Sequence, residues 1–149
     1  MRKVLGMLLL AVAMLFVCSY SYDSSEKEIV VRSSSKGIQF ANMSFEAAKA
    51  EAKSTGKLIF IDAYASWCGP CKMMDKNTFS DEEVGNVFNK KFINLKIDME
   101  KSEEGPSLAR MFQVTAYPTF LWVNGDGKIV KREMGYRTPE QFLGLIANL

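Results

Sequence analysis

The sequence predicts an α/β fold in which helices cover both faces of a central mixed sheet. Helix and strand patterns alternate along the chain from residue 38 onward. The run 58-LIFIDAYA-65 is almost continuously apolar, as in a central strand that is buried on both faces. Two later strand-like runs flank 124-NGDG-127, which is typical of a hairpin turn. Crossovers between strands predict parallel pairing and the hairpin predicts antiparallel pairing, so the sheet is mixed.

The remaining elements are predicted from their start signals and periodicity. Ser44 is placed to cap a helix that runs from Phe45 to about Lys53. The segment 80-SDEE-83 is a capping box, and 138-TPEQ-141 starts a last helix that runs to the C-terminus. The predicted strands are 38–40, 58–65, 92–98, 119–123 and 128–134, and the predicted helices are 45–53, 70–77, 80–88, 104–112 and 138–149.

The residues before 38 are predicted to lie outside this domain. Arg2 and Lys3 form a basic start, an apolar run extends from Val4 to Val17, and small and polar residues follow. This is the layout of a secretory signal peptide, and the apolar run is shorter than the roughly 20 residues that a membrane-spanning helix needs. We expect a signal peptide over 1–21, and the alternative is an uncleaved N-terminal anchor.

Two features of this region leave alternatives open. Residues 22–37 are polar and serine-rich, and we expect a flexible lead in which 29-IVV-31 is a candidate edge strand. Cys18 follows the apolar run, where a lipoprotein signal places its lipidated cysteine. Leu15 suits that signal at −3, but Val17 suits it poorly at −1, so a small apolar residue in a discarded segment is the simpler interpretation. The predicted location is the periplasm, with a lipid anchor through Cys18 as the alternative.

Composition excludes several classes of function. The chain has 19 Lys+Arg and 17 Asp+Glu, and loss of Arg2 and Lys3 with the signal leaves 17 of each. A net charge of zero gives no support for nucleic-acid binding. The chain has no histidine, which excludes Ser-His or Cys-His catalysis and a His-ligated metal. A thiolate zinc site takes four ligands and the mature chain has one CxxC pair, so we expect no metal and no other cofactor.

Cys68 and Cys71 fall between the buried strand and the helix that follows it. Sites in open α/β sheets gather at the carboxyl ends of the strands. The start of a helix favours a thiolate on Cys68, and the thiolate is the attacking species in disulfide exchange. Cys71 lies one helical turn further on, is expected to be the more buried, and would resolve the mixed disulfide. A purely structural disulfide is the alternative, although so short a loop removes little entropy from the unfolded chain.

The motif 67-WCGPCK-72 resembles the active-site motif of the thioredoxin family, and the resemblance covers almost all of residues 38–149. Asp62 lies six residues before Cys68, where thioredoxins carry a buried acid. The segment 117-YPT-119 resembles the cis-proline loop of the family, and Gly135 stands where a glycine follows the last strand. A lone CxxC is a weak signal, but these features together with the order of elements make a strong one.

The resemblance implies a thioredoxin fold and a role for each of these residues. Cys68 is the nucleophile, Cys71 is its disulfide partner and the resolving thiol, and Asp62 helps to move the proton of Cys71. The residues implied at the client-binding surface are Trp67, Gly69, Pro70, Tyr117, Pro118 and Gly135. The alternatives are that Asp62 only caps a neighbour, that Trp67 is a core aromatic and that Tyr117 fills space.

Two departures from the family pattern bear on mechanism and location. Asn94 stands where cytosolic thioredoxins carry a lysine close to the buried acid, and Lys96, although nearby on the same strand face, is not the matching residue. The segment 72-KMMDKNTFSDEEV-84 is similar to secreted thioredoxin-like domains and to the exported C-terminal domain of membrane thiol–disulfide transporters. That similarity agrees with a signal peptide.

The predicted activity is protein-disulfide reduction by a monomer. Gly69-Pro70 is the pair that thioredoxin carries between its cysteines, and thioredoxin lies on the reducing side, at about −270 mV. The expected partners are disulfide-bearing exported proteins and a membrane thiol–disulfide electron donor that recharges the pair. The alternatives are an oxidase or isomerase of exported proteins, or a thioredoxin-fold module that binds clients without catalysis.

Overall fold

A computed structural model describes residues 37–149, which form a four-stranded sheet with helices. The strands are β1 (Leu58–Tyr64), β2 (Phe92–Asp98), β3 (Thr119–Val123) and β4 (Ile129–Met134). The helices are α1 (Phe45–Thr55), α2 (Gly69–Met73), a π-helix (Met74–Thr78), α3 (Glu82–Lys91), α4 (Gly105–Met111) and α5 (Pro139–Gly144). The expected signal peptide, most of the lead, the 29–31 strand and Cys18 lie outside the described residues. Within residues 37–149, no helix is long and apolar enough to cross a membrane.

The strands are arranged in the order β2-β1-β3-β4. β1 and β2 run parallel, with Asp62 opposite Lys96, whereas β3 runs antiparallel to both β1 and β4. The mixed sheet predicted from the sequence is therefore confirmed. In the hairpin between β3 and β4, the carboxamide oxygen of Asn124 accepts the backbone N–H groups of Asp126 and Lys128, which closes the turn.

Alternate side chains of the strands enter two separate hydrophobic cores, one on each face of the sheet. Ile59 and Ile61 pack on one face with residues of α1 and α4. Phe60 packs on the other face with residues of the π-helix, α3 and α5. The second core is mainly aromatic, and the rings of Phe88 and Phe142 stack at 4.8 Å within it. Helices thus cover both faces, as the alternating patterns predict.

Side-chain caps define where several of the helices begin. Ser44 accepts the N–H of Ala47 at the start of α1, and Thr138 forms a complete capping box at the start of α5. The predicted cap of α3 is wrong by one residue, because Asp81, and not Ser80, accepts the N–H of Val84. The hydroxyl of Ser80 instead donates to the carbonyl of Lys76 at the end of the π-helix.

The predicted strand at 38–40 is not formed, because side chains supply most of its hydrogen bonds. The backbone N–H of Gln39 donates to the carboxamide of Asn89, and the carboxamide of Asn94 donates to the carbonyl of Gln39. The N–H of Ala41 donates to the backbone carbonyl of Asn94, which joins this segment to the edge of β2. The segment is therefore extended and attached, but it does not form a ladder.

The helical predictions also change at two places. The single helix expected over 70–77 is divided, because the π-helix begins at Met74 directly after α2. The last helix ends at Gly144 and does not reach the C-terminus. Beyond it, the hydrogen bonds join residues three apart, as between Leu149 and Ile146, so the chain continues in turns.

Candidate active site

Cys68 and Cys71 form a disulfide directly after the carboxyl end of β1. Cys68 is the N-cap of α2, and its Sγ accepts the backbone N–H of Cys71 at 3.1 Å. Pro70 occupies the first turn, where its missing N–H leaves no hydrogen bond unmade. A helix start and a backbone donor at the sulfur both favour a thiolate on Cys68 once the disulfide is reduced.

The two cysteines are equally covered in the oxidised protein. Each is 2% exposed, so the expected greater burial of Cys71 is not seen. With Ala65 they form a small buried cluster, against which Tyr64 and Tyr117 pack. Gly69 and Pro70, between the cysteines, are exposed, so both are accessible from solvent beside the disulfide.

Asp62 is fully buried in β1, six residues before Cys68. Its Oδ2 lies 2.5 Å from Nζ of Lys96, whereas its Oδ1 has no hydrogen-bond partner in the described part of the chain. Burial raises the pKa of Asp62 from 3.8 to about 6, although the charge and hydrogen bond of Lys96 act in the opposite direction. A carboxyl with this pKa can take up and release a proton near neutral pH.

Lys96 is shared between two carboxylates. Its Nζ also lies 2.7 Å from Oδ1 of Asp75 and 4.4 Å from the centre of the Tyr64 ring. Burial alone would lower the pKa of Lys96, but its contacts with Asp62 and Asp75 outweigh burial and hold the pKa above its ordinary value. Lys96 therefore stays charged and joins the buried acid to a half-exposed carboxylate at the surface.

Lys96 is the lysine of this site, although the resemblance to thioredoxins points to position 94. Asn94, at the position that matches the thioredoxin lysine, lies opposite Phe60 and hydrogen-bonds to Asn89 and Gln39. Lys96 lies two residues later on the same face and directly opposite Asp62. The periodicity of β2 places both side chains on that face, but only the register with β1 identifies the partner of Asp62.

Asp75 was not among the predicted site residues. It lies in the π-helix, where the N–H of Phe79 donates to the carbonyl of Met74, five residues earlier, at 2.8 Å. The wider helical turn lies within the 72–84 segment. A break in regular helix periodicity gives no signal in hydrophobic patterning, so the sequence alone does not place Asp75 near Lys96.

The structure brings the three predicted groove residues together, and Tyr117 among them packs against the cysteine cluster. The Tyr117–Pro118 peptide bond is cis, and the carbonyl of Pro118 accepts the N–H of Gly135 at 2.9 Å. Gly135 has a φ of +82°, a conformation that glycine adopts without a steric penalty. Tyr117 packs against the cysteine cluster and contacts the ring of Trp67 edge to face at 5.9 Å.

Trp67 is a surface residue, because 66% of it is exposed. Its indole N–H donates to Oε2 of Glu100 at 2.8 Å, and the same carboxylate acts electrostatically on the hydroxyl of Tyr117. Burial first, and then the negative charges of Glu100 and Asp98, raise the pKa of Tyr117. Glu100, which sequence patterns do not single out, therefore binds Trp67 and interacts with Tyr117 beside the disulfide.

Asp98 fixes the loop that carries Glu100. Its carboxylate accepts the backbone N–H groups of Ser66, Glu100 and Lys101 at 3.0 to 3.2 Å. Burial alone would raise the pKa of Asp98, but these donors outweigh it and hold the pKa below its ordinary value. Ser66, which precedes Trp67, and Glu100, which binds Trp67, are thus both held by the carboxylate of Asp98.

The sequence profile of a family described as thioredoxin-like matches residues 41–125. The chain belongs to the thioredoxin-like family. The matched range contains β1, both cysteines, Lys96 and the cis-proline loop, so the thioredoxin fold predicted from the sequence is confirmed. The matched range also contains the Cys68–Cys71 disulfide directly after the carboxyl end of β1, and such a pair supports thiol–disulfide exchange.

Relatives of this thioredoxin-like protein include thiol:disulfide interchange proteins and thioredoxins. The thiol:disulfide interchange protein DsbD of Vibrio cholerae is 36% identical over 115 residues, which cover 72% of this chain but 19% of that protein. A proposed disulphide-isomerase from Bacteroides thetaiotaomicron, solved in solution, is 39% identical, with a TM-score of 0.65, over 77% of this chain and 98% of the other. The C-terminal domain of DsbD from Neisseria meningitidis shares the fold at 22% identity, with a TM-score of 0.56, over 67% of this chain and 87% of the other.

Proposed function

We propose that this protein reduces disulfide bonds in exported proteins through Cys68 and Cys71. The observation that carries the proposal is the cysteine pair at the start of α2 together with Asp62, a buried carboxyl of pKa about 6 that precedes the pair on β1. These supply a nucleophile, a resolving thiol and a group able to exchange a proton near neutral pH.

The reaction that we propose has two exchange steps. In the reduced protein, the Cys68 thiolate attacks one sulfur of the client disulfide, which forms a mixed disulfide and releases the other client sulfur as a thiolate. Cys71 then loses its proton and attacks Sγ of Cys68, which releases the second client thiolate. The client gains two electrons and, once its thiolates take up protons, two thiols, and the protein is left with the Cys68–Cys71 disulfide.

Asp62 is the group that we assign to the proton of Cys71. Its unpartnered Oδ1 is buried, so it can accept a proton without first breaking a protein hydrogen bond. Lys96 stabilises the ionised form that must be present before the proton is accepted. Asp75, which is half-exposed, holds the other side of Lys96 near solvent.

Client docking is assigned to the surface around the disulfide. Trp67 and Tyr117 present aromatic faces there, and Gly69 and Pro70 lie between the cysteines. We also assign Pro118 and Gly135 to this surface, because the hydrogen bond from the N–H of Gly135 to the carbonyl of Pro118 holds the loop that carries Tyr117. Such a surface contacts main chain and apolar side chains and selects clients weakly, as a general reductant requires.

The reductive direction rests on Gly69 and Pro70 and on the absence of histidine from the chain. A pair of the thioredoxin type lies at about −270 mV, below the poise of an oxidising compartment. We therefore propose that a membrane thiol–disulfide donor returns two electrons to the Cys68–Cys71 disulfide after each cycle. The similarity to part of a thiol:disulfide interchange protein supports exchange with such a partner.

The place of action that we propose is the periplasm. The basic start at Arg2 and Lys3 and the apolar run after it support export by a signal peptide over 1–21. The working unit that we propose is a monomeric domain over 38–149, preceded by a lead that connects it to the cleavage site or to a lipid on Cys18. Mass spectrometry of the mature N-terminus decides between cleavage after Ser21 and lipidation.

Trapping with Cys71→Ser tests the proposal directly. This variant keeps the Cys68 nucleophile but cannot resolve the mixed disulfide, so covalent client adducts should accumulate. Because these adducts are disulfides, dithiothreitol should cleave them. Cys68→Ser is the matched control and should trap nothing. Absence of adducts in Cys71→Ser, together with absence of insulin reduction by the native protein, would show a module that binds clients without catalysis.

Isomerisation is the second candidate function, and one observation favours it. The structural relative from Bacteroides thetaiotaomicron, which shares 39% identity, is described as a proposed disulphide-isomerase. An isomerase returns the client to a new disulfide and ends each cycle reduced. Reactivation of scrambled ribonuclease A without added reductant would support isomerisation, whereas activity that consumes one reduced protein per client disulfide supports reduction.

A further inference from the structure

We infer that Arg132 is a positioning residue for client binding, because it holds the loop that ends at the cis-proline. Arg132 lies on β4, opposite Leu121 of β3, and its described hydrogen bonds go to the C-terminal end of α4. The inference rests on the proposed function, since it concerns how the groove for the client is kept in shape.

The guanidinium of Arg132 binds two consecutive carbonyls. Its Nη1 donates to the carbonyl of Gln113 at 3.1 Å, and its Nη2 donates to the carbonyl of Phe112. Phe112 is the C-cap of α4 and Gln113 follows it, so neither carbonyl has a hydrogen-bond partner within the helix. A forked cation is suited to this position, and the ammonium of a lysine cannot reproduce the two parallel bonds.

The residue that Arg132 holds has an unfavourable backbone conformation. Gln113 has a φ of +50°, and in residues 37–149 the other positive values belong to glycines. Its N–H donates to the carbonyl of Arg110, and the N–H of Val114 donates to that of Ala109, which is the helix-ending motif that ordinarily carries glycine at this position. The bonds from Arg132 offset the steric cost of a side chain in the left-handed region.

The segment after Gln113 leads directly to the groove. Val114 packs against the first core, the carbonyl of Ala116 accepts the hydroxyl of Thr119 at 2.7 Å, and the carbonyl of Pro118 accepts the N–H of Gly135. Loop 113–118 is therefore held at its far end by Thr119 and Gly135 and at its near end by Arg132.

Loss of the hydrogen bonds from Arg132 should shift loop 113–118 without a direct effect on Cys68 and Cys71. Tyr117, in this loop, packs on the cysteine cluster and on Trp67, so its placement depends on the loop. The described contacts of Arg132 include neither cysteine and not Asp62. Loss of Arg132 should therefore weaken client binding and leave the chemistry of Cys68 and Cys71 unchanged.

The experiment measures insulin reduction by the full chain with Arg132→Ala, Arg132→Lys and the control Lys131→Ala. Lys131 neighbours Arg132 on β4 and makes one long ion pair, to Glu133 at 3.8 Å. Arg132→Ala should raise KM about 3- to 10-fold, the loss expected for a hydrogen-bonded contact, with kcat and the redox potential unchanged. Arg132→Lys should give an intermediate KM, and Lys131→Ala should resemble the native protein.

A second substitution separates positioning from folding. Gln113→Gly removes the steric cost that Arg132 offsets. In the Arg132→Ala background it should therefore lower KM most of the way back to the native value. The double variant also keeps the test possible if Arg132→Ala alone folds poorly. An unchanged KM in Arg132→Ala, an equal loss of kcat, a shifted redox potential or no rescue by Gln113→Gly would overturn the inference. Failure of the native protein to reduce insulin would instead overturn the proposed function.

Discussion

Lys96 and Asp62 face each other across the parallel pair β1 and β2, and the ammonium of Lys96 lies 2.5 Å from the buried carboxylate. Burial raises the pKa of Asp62 to about 6 even with this partner present. The charge of Asp62 therefore changes within the pH range in which disulfide exchange operates. The pH dependence of the reaction should report on the groups around this carboxylate.

Replacement of Lys96 by methionine should move the pH profile of client reduction upward. The ammonium favours the ionised carboxylate, so its loss raises the pKa of Asp62 further above 6. We expect the midpoint of kcat against pH to rise by about one unit, the shift typical of losing a nearby opposite charge. Lys76→Met, an exposed substitution in the π-helix, is the control. An unchanged midpoint would show that ionisation of Asp62 does not control the rate.

Asp75→Asn should move the same profile in the opposite direction. The negative charge of Asp75 raises the pKa of Asp62, and its removal also leaves Lys96 to Asp62 alone. Because Asp75 is half-exposed, solvent screens its charge, and we expect a fall of less than about one unit. Asp126→Asn, at an exposed hairpin residue, serves as the comparison. A rise in the midpoint would be incompatible with the arrangement around Lys96.

Asp62→Asn should stabilise the protein at high pH. The pKa of Asp62 is raised from 3.8 to about 6 in the folded state, so its contribution to stability is present below about pH 4 and is lost as pH rises through 6. The amide removes this loss, which amounts to at most about 3 kcal/mol above pH 7. Urea unfolding of the oxidised protein should show the variant more stable at pH 8 and similar to the native protein near pH 4.

Asp98→Asn should change the stability of the protein in the opposite direction when unfolding by urea is measured. The pKa of Asp98 is held below its ordinary value, so its contribution is present near neutral pH and is lost as pH falls through the folded-state pKa. The variant should be less stable than the native protein at pH 7, and the difference should shrink on acidification. Equal pH dependence of the Asp62 and Asp98 variants would contradict the assigned environments.

Sequence patterns predicted the parts of this fold that depend on local chemistry. The bounds of β2 and β3, the Ser44 cap and the placement of Cys68 at a helix start all follow from residues near one another in the chain. The motif 67-WCGPCK-72 likewise locates the redox pair without reference to the rest of the fold.

The features that sequence patterns missed depend on pairing between distant segments. The choice of Lys96 over Asn94 requires the register of two strands, which periodicity does not specify. The strand expected at 38–40 is lost to the carboxamides of Asn89 and Asn94, whose reach depends on tertiary placement. Glu100 lies in a loop with no motif around it, and only the fold places it beside Trp67 and Tyr117.

Glu100→Ala should loosen the aromatic side chains beside the disulfide. Trp67 would lose its hydrogen bond and Tyr117 its charged partner, so Trp67 should become more accessible to quenching of its fluorescence by acrylamide. Trp122 is fully buried and supplies the internal unquenched reference. Glu100→Gln keeps an acceptor for the indole and should stay close to the native protein. Unchanged quenching in Glu100→Ala would show that the carboxylate does not hold Trp67.

The equilibrium redox potential of the Cys68–Cys71 pair is the most direct test of the central claim that this protein is a reductant. The full chain is titrated against dithiothreitol and glutathione couples, and the fraction of disulfide is read from alkylated protein by mass spectrometry. We predict a potential close to that of thioredoxin, at about −270 mV. A potential near about −120 mV would contradict the account, because a pair with that potential takes electrons from exported proteins.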